Sequence, residues 1–192
     1  MGSSKAGGQI DVDDIGYEVP SGTYEEARAL VGSTTPVRFG EVEVNAPMIR
    51  HYAAMVRDPN PGYWDREFAA QQWGEIVAPP GMLMTWLIPI EWEPAGGRPV
   101  PLLTAQVPLP GDTFLNASND TELLEPIRAG DRLNVVEELT DVSEEKHTAV
   151  GRGHFVTTLS TYRRQDGTVV ARSTNVLFRF RAGGSEGDGG TV

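Results

Sequence analysis

The feature that most restricts the fold is a change of hydrophobic period near residue 102. Before it, short apolar stretches recur at helical spacing between capping residues. After it, segments rich in Val, Thr, Leu and Phe alternate between apolar and polar residues, as strands of an antiparallel sheet do. These segments are 102–109, 114–124, 132–142, 154–164 and 168–181. Helices followed by a long antiparallel sheet predict an α+β domain.

The first half predicts short helices and one edge strand. Thr23, Asn45 and Asp65 are good N-cap residues, and Gly32 and Gly74 are good helix ends. The predicted helices cover 22–31, 45–58, 66–73 and 81–88, and the edge strand covers 37–44. The helix at 81–88 is apolar on nearly every side, so we expect it to be buried at the centre of the fold. Further on, Gln165-Asp166-Gly167 predicts a hairpin turn.

Length and composition limit the organisation of the chain. Its 192 residues fit one domain, which we place at 21–182. Residues 1–20 are predicted to be a flexible lead-in and the Gly-rich, acidic residues 183–192 a disordered tail. The absence of cysteine excludes disulfides and thiol nucleophiles. The three histidines are far apart in the sequence, so no metal site is expected.

Charge and hydropathy exclude several kinds of partner. A net charge of −11 disfavours nucleic acid and anionic membrane surfaces, which need clustered cations. The longest apolar run, 82–92, contains Thr85, Pro89 and Glu91 and is far shorter than the roughly 20 residues of a membrane span. The N-terminal residues have no apolar segment typical of a signal peptide. We therefore expect a cytoplasmic protein.

Three segments, taken in order, resemble one enzyme family. They are Asp58-Pro59-Asn60-Pro61-Gly62-Tyr63, Ala78-Pro79-Pro80-Gly81-Met82 and Leu124-Glu125-Pro126-Ile127-Arg128-Ala129-Gly130-Asp131. Together they resemble the MaoC-like, R-specific enoyl-CoA hydratases and dehydratases, in particular the FAS1-like dehydratase N-terminal branch. The resemblance covers about residues 35–182 and implies a hotdog fold, in which the sheet wraps around the apolar helix.

The resemblance also implies a site. In the family, Asp and His of an Asp-x-Asn-Pro-x-His motif activate water, and a glycine N–H polarises the thioester carbonyl. This implies catalytic roles for Asp58, Gly81 and Tyr63, the last at the histidine position, and substrate contacts for Asn60. On the central helix, Met82 and Trp86 are predicted to line an acyl tunnel. Residue by residue, plainer interpretations remain: an Asp before Pro often ends a helix, and a glycine relieves crowding after two prolines.

Tyr63 is the decisive departure from the motif. A phenol with a reference pKa of about 10 cannot take a proton from water near neutral pH as an imidazole can. Tyr63 is then either a residue without a catalytic role or a hydrogen-bond donor to water or substrate. Among the histidines, His51 is predicted to be inert and His147 to lie in a solvated loop. Only His154, at the start of a strand, is a candidate replacement base.

The missing imidazole predicts that catalysis and acyl binding belong to different subunits. In heteromeric members of the family, one subunit keeps Asp and His while the other shapes the acyl tunnel. We therefore expect this chain to be a non-catalytic subunit of an enoyl-CoA hydratase, a hydro-lyase that acts on CoA or acyl-carrier-protein thioesters. Its expected partner is a second MaoC-like hotdog subunit, and no cofactor is expected. Bulky acyl groups such as steroid side chains are one candidate substrate. The alternatives are a self-sufficient homodimeric hydratase using Asp58 and a non-catalytic acyl-thioester binder.

Overall fold

A computed structural model of the chain describes residues 19–90, 92–94, 96–97 and 103–182. The predicted lead-in at 1–20 lies almost entirely outside these residues, and the predicted tail at 183–192 lies wholly outside them. Both stay predictions. The domain predicted for 21–182 contains nearly all of the described residues.

One antiparallel sheet dominates the structure. Its strands are β1 (Arg38–Phe39), β4 (Thr113–Leu123), β5 (Leu133–Val142), β6 (Lys146–Thr148), β7 (Gly151–Arg164) and β8 (Val169–Ala182). Their order is β1-β5-β7-β8-β4, and β6 pairs with β7. A separate ribbon pairs β2 (Trp92–Glu93) with β3 (Gly96–Gly97). The long strands and the α+β class predicted from alternation are confirmed.

Five short helices accompany the sheet in the described part of the chain: α1 (Tyr24–Ala29), α2 (Ala46–Val56), α3 (Pro61–Trp64), α4 (Arg66–Trp73) and α5 (Leu103–Gln106). The predicted N-caps and the helix end at Gly74 are confirmed, but α1 ends at Ala29 with Leu30 as its C-cap, before the predicted end at Gly32. Thr23 forms a capping box with Glu26, Asn45 accepts from the Met48 N–H, and Asp65 accepts from two backbone N–H groups. Gly74 ends α4 in the left-handed region, at φ 87°. Local side-chain chemistry therefore determines where these helices begin and end.

The turn between β7 and β8 also forms where the sequence predicts it. The Gly167 N–H donates to the Arg164 carbonyl, and the Asp166 carboxylate accepts from the Thr168 N–H. Gly167 has a positive φ of 86°, which glycine adopts without strain. The turn fixes the register of the two longest strands, in which Tyr162 lies opposite Ala171.

The predicted central helix at 81–88 is wrong in form. This part of the chain, which we call the central segment (residues 80–88), makes two 3₁₀ turns, Pro80–Met82 and Met84–Leu87. Pro79 and Pro80 remove backbone donors at its start and Pro89 stops it, so too few residues remain for a stable α-helix. Its burial is also one-sided, because Trp86 and Leu87 are buried while Met84 and Ile88 are exposed.

Two predicted strands and one predicted loop are also wrong. The segment predicted as strand 102–109 forms helix α5 at residues 103–106. Pro108 and Pro110 follow this helix, and proline cannot donate a backbone hydrogen bond to a sheet. The strand predicted at 37–44 is reduced to β1. Just after it, a side chain at Gly40 would collide with the Trp86 carbonyl oxygen, so the backbone runs directly beneath the central segment. His147, predicted in a loop, lies in the exposed strand β6.

The apolar core is divided into two clusters. The larger one joins α2, the central segment and the ends of the strands near residues 133–135 and 162–171, and it includes Ile49, Trp86 and Tyr162. The smaller one joins α1 to Leu139 and Val156, farther along the same strands. The central segment belongs to the larger cluster alone, so it covers only one end of the inner face of the sheet.

Candidate functional site

Two side chains fold the segment between α2 and α3 into a fixed turn. Arg57 ends α2 in the left-handed region, at φ 56°. The Asp58 carboxylate then accepts from the Asn60 N–H at 3.0 Å, and the Asn60 side-chain oxygen accepts from the Gly62 N–H at 3.0 Å. Asn60 thereby caps α3. The sequence predicted the turn, and the short helix after it went unpredicted.

This turn places Tyr63 inside the fold. Its side chain is 6% exposed and lies next to the Asn60 amide. Burial raises the pKa of the Tyr63 phenol, and the negative charge of Asp58 raises that pKa further. A raised pKa keeps the phenol protonated at neutral pH. Tyr63 can therefore donate a hydrogen bond, but it cannot remove a proton from water.

Gly81 lies close to a second phenol. A side-chain carbon added at Gly81 would collide with the Tyr52 hydroxyl oxygen. Tyr52 is also near enough to Tyr63 to influence its pKa electrostatically. The structure thus brings Tyr52, Tyr63 and Gly81 together, with Asn60 beside Tyr63. Sequence reasoning assigned Tyr52 no role in the site, because nothing in the sequence relates it to Gly81.

A cavity of about 300 Å³ opens beside these groups. Asn60, Tyr63 and Glu125 form its polar part. Its remaining walls are formed by Trp73, Val77, Ala78, Pro80, residues 123–124 and residues 126–127. The cavity therefore joins all three segments on which the family resemblance depends, although they are far apart in the sequence.

The two predicted substrate contacts on the central segment lie deeper in the molecule. Met82 is buried and Trp86 is 0% exposed, and both belong to the larger apolar cluster. The indole N–H of Trp86 has no hydrogen-bond partner in the described part of the chain. Met84, between them, is exposed and lines a different cavity. Substrate contact by Met82 or Trp86 stays a prediction.

None of the three histidines lies at the first cavity. His51 is exposed on α2, and His147 is exposed on β6 with its ring 3.9 Å from the Glu145 carboxylate. His154 is 5% exposed, its Nδ1 is 2.9 Å from the Ser143 carbonyl, and it stacks on Tyr24. His154 pairs with Arg179, and the cavity residue Leu123 pairs with Ala171, both on β8. These two partners are eight residues apart, which is about 26 Å along a strand. His154 is therefore wrong as a replacement base.

Asp58 is not paired with a cationic side chain in the described part of the chain. Within residues 19–90, 92–94, 96–97 and 103–182, no Lys, Arg or His forms an ion pair with its carboxylate. The same residues contain no cluster of His, Cys, Asp and Glu that could hold a metal ion. No helix in this part of the chain is long and apolar enough to cross a membrane.

The family model described as "FAS1-like, dehydratase domain region" matches residues 29–173. The chain belongs to the FAS1-like dehydratase family. A relative from Thermomonospora curvata, named "Probable enoyl-CoA hydratase alpha subunit", is 39% identical over 162 residues, which are 80% of this chain and 50% of the relative. The "3-oxo-4,17-pregnadiene-20-carboxyl-CoA hydratase alpha subunit" of Mycobacterium tuberculosis is 28% identical over 84% of this chain and 53% of its own length. This FAS1-like dehydratase chain thus spans about half of these relatives.

Solved structures confirm the hotdog fold of this FAS1-like dehydratase chain. A chain of the ChsH1-ChsH2 complex from Mycobacterium tuberculosis aligns with a TM-score of 0.64 and 24% identity, over 84% of this chain and 91% of that one. A MaoC-like dehydratase from Rhodospirillum rubrum aligns with a TM-score of 0.55 and 24% identity, over 80% of this chain and 94% of that one. The predicted resemblance to MaoC-like dehydratases is confirmed.

The contact between Gly81 and Tyr52 predicts a non-additive pair of substitutions. Gly81→Ala is expected to lower the free energy of unfolding by about 1–3 kcal/mol, because the added methyl group overpacks the site. In a Tyr52→Phe background, which removes the nearest atom, the same change should cost about 1 kcal/mol less. Chemical denaturation of the four proteins of the cycle measures this coupling. Equal costs in both backgrounds would show that the hydroxyl does not lie against Gly81.

Proposed function

We propose that this chain is a subunit of a heteromeric enoyl-CoA hydratase, a hydro-lyase that adds water across 2-enoyl thioesters, and that its partner is a second MaoC-like hotdog subunit. The observation that carries the proposal is the protonated phenol of Tyr63 at the position of the expected base. Beside it, Asp58 has no basic partner within the described residues. The partner supplies the general base.

The chemistry needs more than a base. Hydration requires a group that takes a proton from water, a group that delivers one to the α carbon, and donors for the developing enolate oxygen. This chain offers donors in the phenols of Tyr52 and Tyr63 and in the backbone at Gly81. Its proposed role is to hold the thioester and to shape the acyl space. No resident cofactor is part of the proposal.

The exposed edge of the sheet supports a hotdog partner. Strand β4 is the last strand on its side, and nearly all of its residues are exposed. Leu115 and Leu123 are apolar residues exposed along it. A long unpaired edge readily pairs with another strand. The name "alpha subunit" of both hydratase relatives and the complex containing the similar solved chain are consistent with such a partner.

The short central segment supports a bulky acyl group as substrate. Two 3₁₀ turns cover only one end of the inner face of the sheet, which leaves space where a long helix would otherwise lie. We propose that the acyl part of the substrate occupies this space, and steroid side chains are the candidate suggested by the name of the Mycobacterium tuberculosis relative. CoA is the proposed carrier, as in the names of both hydratase relatives.

A non-catalytic acyl-thioester binder is the second candidate, because the same donors and cavity would bind a thioester without any base. Co-expression with a MaoC-like hotdog subunit that keeps both Asp and His distinguishes the two functions. The proposal predicts that the chains co-purify and that the pair hydrates a 2-enoyl-CoA faster than that subunit alone. A binder would take up 2-enoyl-CoA without changing the rate of any such subunit, and this result would overturn the proposed function.

A further inference from the structure

Two arginines lie side by side at the end of the sheet that is farthest from Tyr63. Arg152 on β7 pairs directly with Arg181 on β8. His154 lies two residues along β7 and faces the same side as Arg152 and as the buried Val156, because side chains on a strand alternate between its faces. A cavity of about 410 Å³ opens here. We call it the basic pocket; it is lined by Pro110, Glu145, Gly151, Arg152, Gly153, His154 and Arg181.

The two strands that carry these arginines run close together on both sides of Arg152. A side-chain carbon at Gly151 would collide with the Arg181 carbonyl oxygen, and one at Gly153 would collide with the Arg179 carbonyl oxygen. Glycine has no such carbon and lets the backbones approach. Arg152 and Arg181 are therefore attached to directly neighbouring points of a closely packed strand pair.

Arg179 fixes the end of β8 beside the basic pocket. Its side chain is 0% exposed, and it lies opposite His154 on the neighbouring strand. Its guanidinium donates to the carbonyls of Pro20 at 2.7 Å and Gly111 at 2.8 Å, and also to the carbonyl of Val107. These bonds tie β8 to the segments around it, so the pocket is largely organised before a ligand arrives.

Within the described residues, neither Arg152 nor Arg181 forms an ion pair. The carboxylate of the pocket, Glu145, forms its ion pair with His147, at 3.9 Å. Both arginines are exposed to solvent, and like charges directly opposite each other on neighbouring strands destabilise a sheet. An anion between the two guanidinium groups would replace this repulsion with two attractions.

His154 adds a buried polar group to the wall of the basic pocket. It is 5% exposed, and its Nδ1 lies 2.9 Å from the Ser143 carbonyl oxygen. A carbonyl oxygen can only accept, so Nδ1 carries the hydrogen of this bond. The other ring nitrogen, Nε2, has no hydrogen-bond partner within the described residues. A hydrogen on Nε2 would give the ring a positive charge and a further donor for an anion.

We propose that the basic pocket binds a phosphate group, to which Arg152 and Arg181 each donate a charge-assisted hydrogen bond. Arginine suits this ligand because its planar guanidinium matches the spacing of phosphate oxygens. The net charge of the chain is −11, which repels anions in general, so binding depends on this local group of cations. The site lies at the opposite end of the sheet from the cavity beside Tyr63 and is separate from it.

Two sources can supply the phosphate group: free phosphate, or the phosphates of a CoA whose thioester lies in the cleft of the partner subunit. The second source rests on the proposed function. If β4 pairs antiparallel with the equivalent strand of the partner, the partner's sheet runs in the opposite direction. Its reacting end would then lie beside Thr113, the end of β4 that pairs with Phe180 next to Arg181.

Calorimetric titration of the purified chain with pyrophosphate tests the site itself. Arg152→Gln and Arg181→Gln should each weaken binding by about 10-fold or more, because each removes one charge-assisted hydrogen bond. Arg172→Gln is the matched control, since it removes the same charge from an exposed position on the outer face of β8. It should change the affinity by less than about twofold, because solvent and salt screen a distant exposed charge. Absence of binding, or an equal loss in Arg172→Gln, overturns the inference.

Steady-state hydration by the complex with the partner subunit then identifies the source. The two substrates are a 2-enoyl-CoA and the same 2-enoyl thioester of pantetheine, which lacks the phosphates. A KM that rises about 10-fold in Arg152→Gln for the CoA thioester alone assigns the pocket to the phosphates of CoA. Unchanged KM values for both, together with lost pyrophosphate binding, assign it to free phosphate. Absence of hydration of both thioesters by the wild-type complex overturns the proposed function, while the titration still decides the phosphate site.

Discussion

In the complex with a catalytic hotdog subunit, Asp58→Asn in this chain is expected to leave the rate of hydration within about twofold of wild type. Removing a working general base typically costs about 10²–10⁴-fold, but Asp58 has no imidazole beside it and its carboxylate binds the Asn60 N–H of its own turn. Asparagine can keep that hydrogen bond through its side-chain oxygen. Steady-state hydration of a 2-enoyl-CoA by the purified complex measures the effect.

The matched variant lies in the partner. The same Asp→Asn change in that subunit's motif should lower the rate by about 10²-fold or more. Equal losses from the two substitutions would mean that both subunits contribute a catalytic carboxylate. The proposal that only the partner supplies the general base would then be wrong. Circular dichroism of each complex checks that the substituted turn still folds.

Trp86→Ala is expected to lower the free energy of unfolding by about 3–5 kcal/mol, the usual cost of truncating a buried aromatic side chain. Trp86 is 0% exposed and anchors the central segment in the larger apolar cluster. Because a typical domain is stable by only about 5–15 kcal/mol, this change removes a large part of the total. Chemical denaturation followed by circular dichroism measures the loss.

Two control variants locate the origin of that loss. Trp86→Phe removes the indole N–H, which has no hydrogen-bond partner in the described part of the chain, and keeps most of the buried volume, so it should cost less than about 2 kcal/mol. Met55→Ala changes a residue that is 74% exposed and should stay within about 0.5 kcal/mol of wild type. A cost below about 1 kcal/mol for Trp86→Ala would show that the segment is not held by this residue.

Features that depend on neighbouring residues were predicted well from the sequence. The caps at Thr23, Asn45 and Asp65 form bonds within three residues, and the hairpin turn at 165–167 closes on itself. The turn that presents Asn60 and Tyr63 is local in the same way. The alternation of the long strands was equally reliable, because each side chain on a strand points to the face opposite its neighbour's.

Features that depend on distant residues were not predictable. The 3₁₀ form of the central segment reflects the prolines around it and the backbone of Gly40 beneath Trp86. The contact between Tyr52 and Gly81 joins α2 to that segment, and no spacing in the sequence indicates it. The inward-facing row of Glu137, Ser160 and Ser173 was missed, because an alternating strand does not reveal which face is buried when both faces carry polar residues.

The central claim is that the partner subunit, and not this chain, supplies the general base for hydration. Its most direct test is the turnover of a saturating 2-enoyl-CoA by the purified chain without any partner. We predict no hydration above the rate of a Tyr63→Phe, Asp58→Asn double variant. Turnover at roughly 1–1,000 per second, the ordinary range for enzymes, that is lost in the double variant would contradict the account.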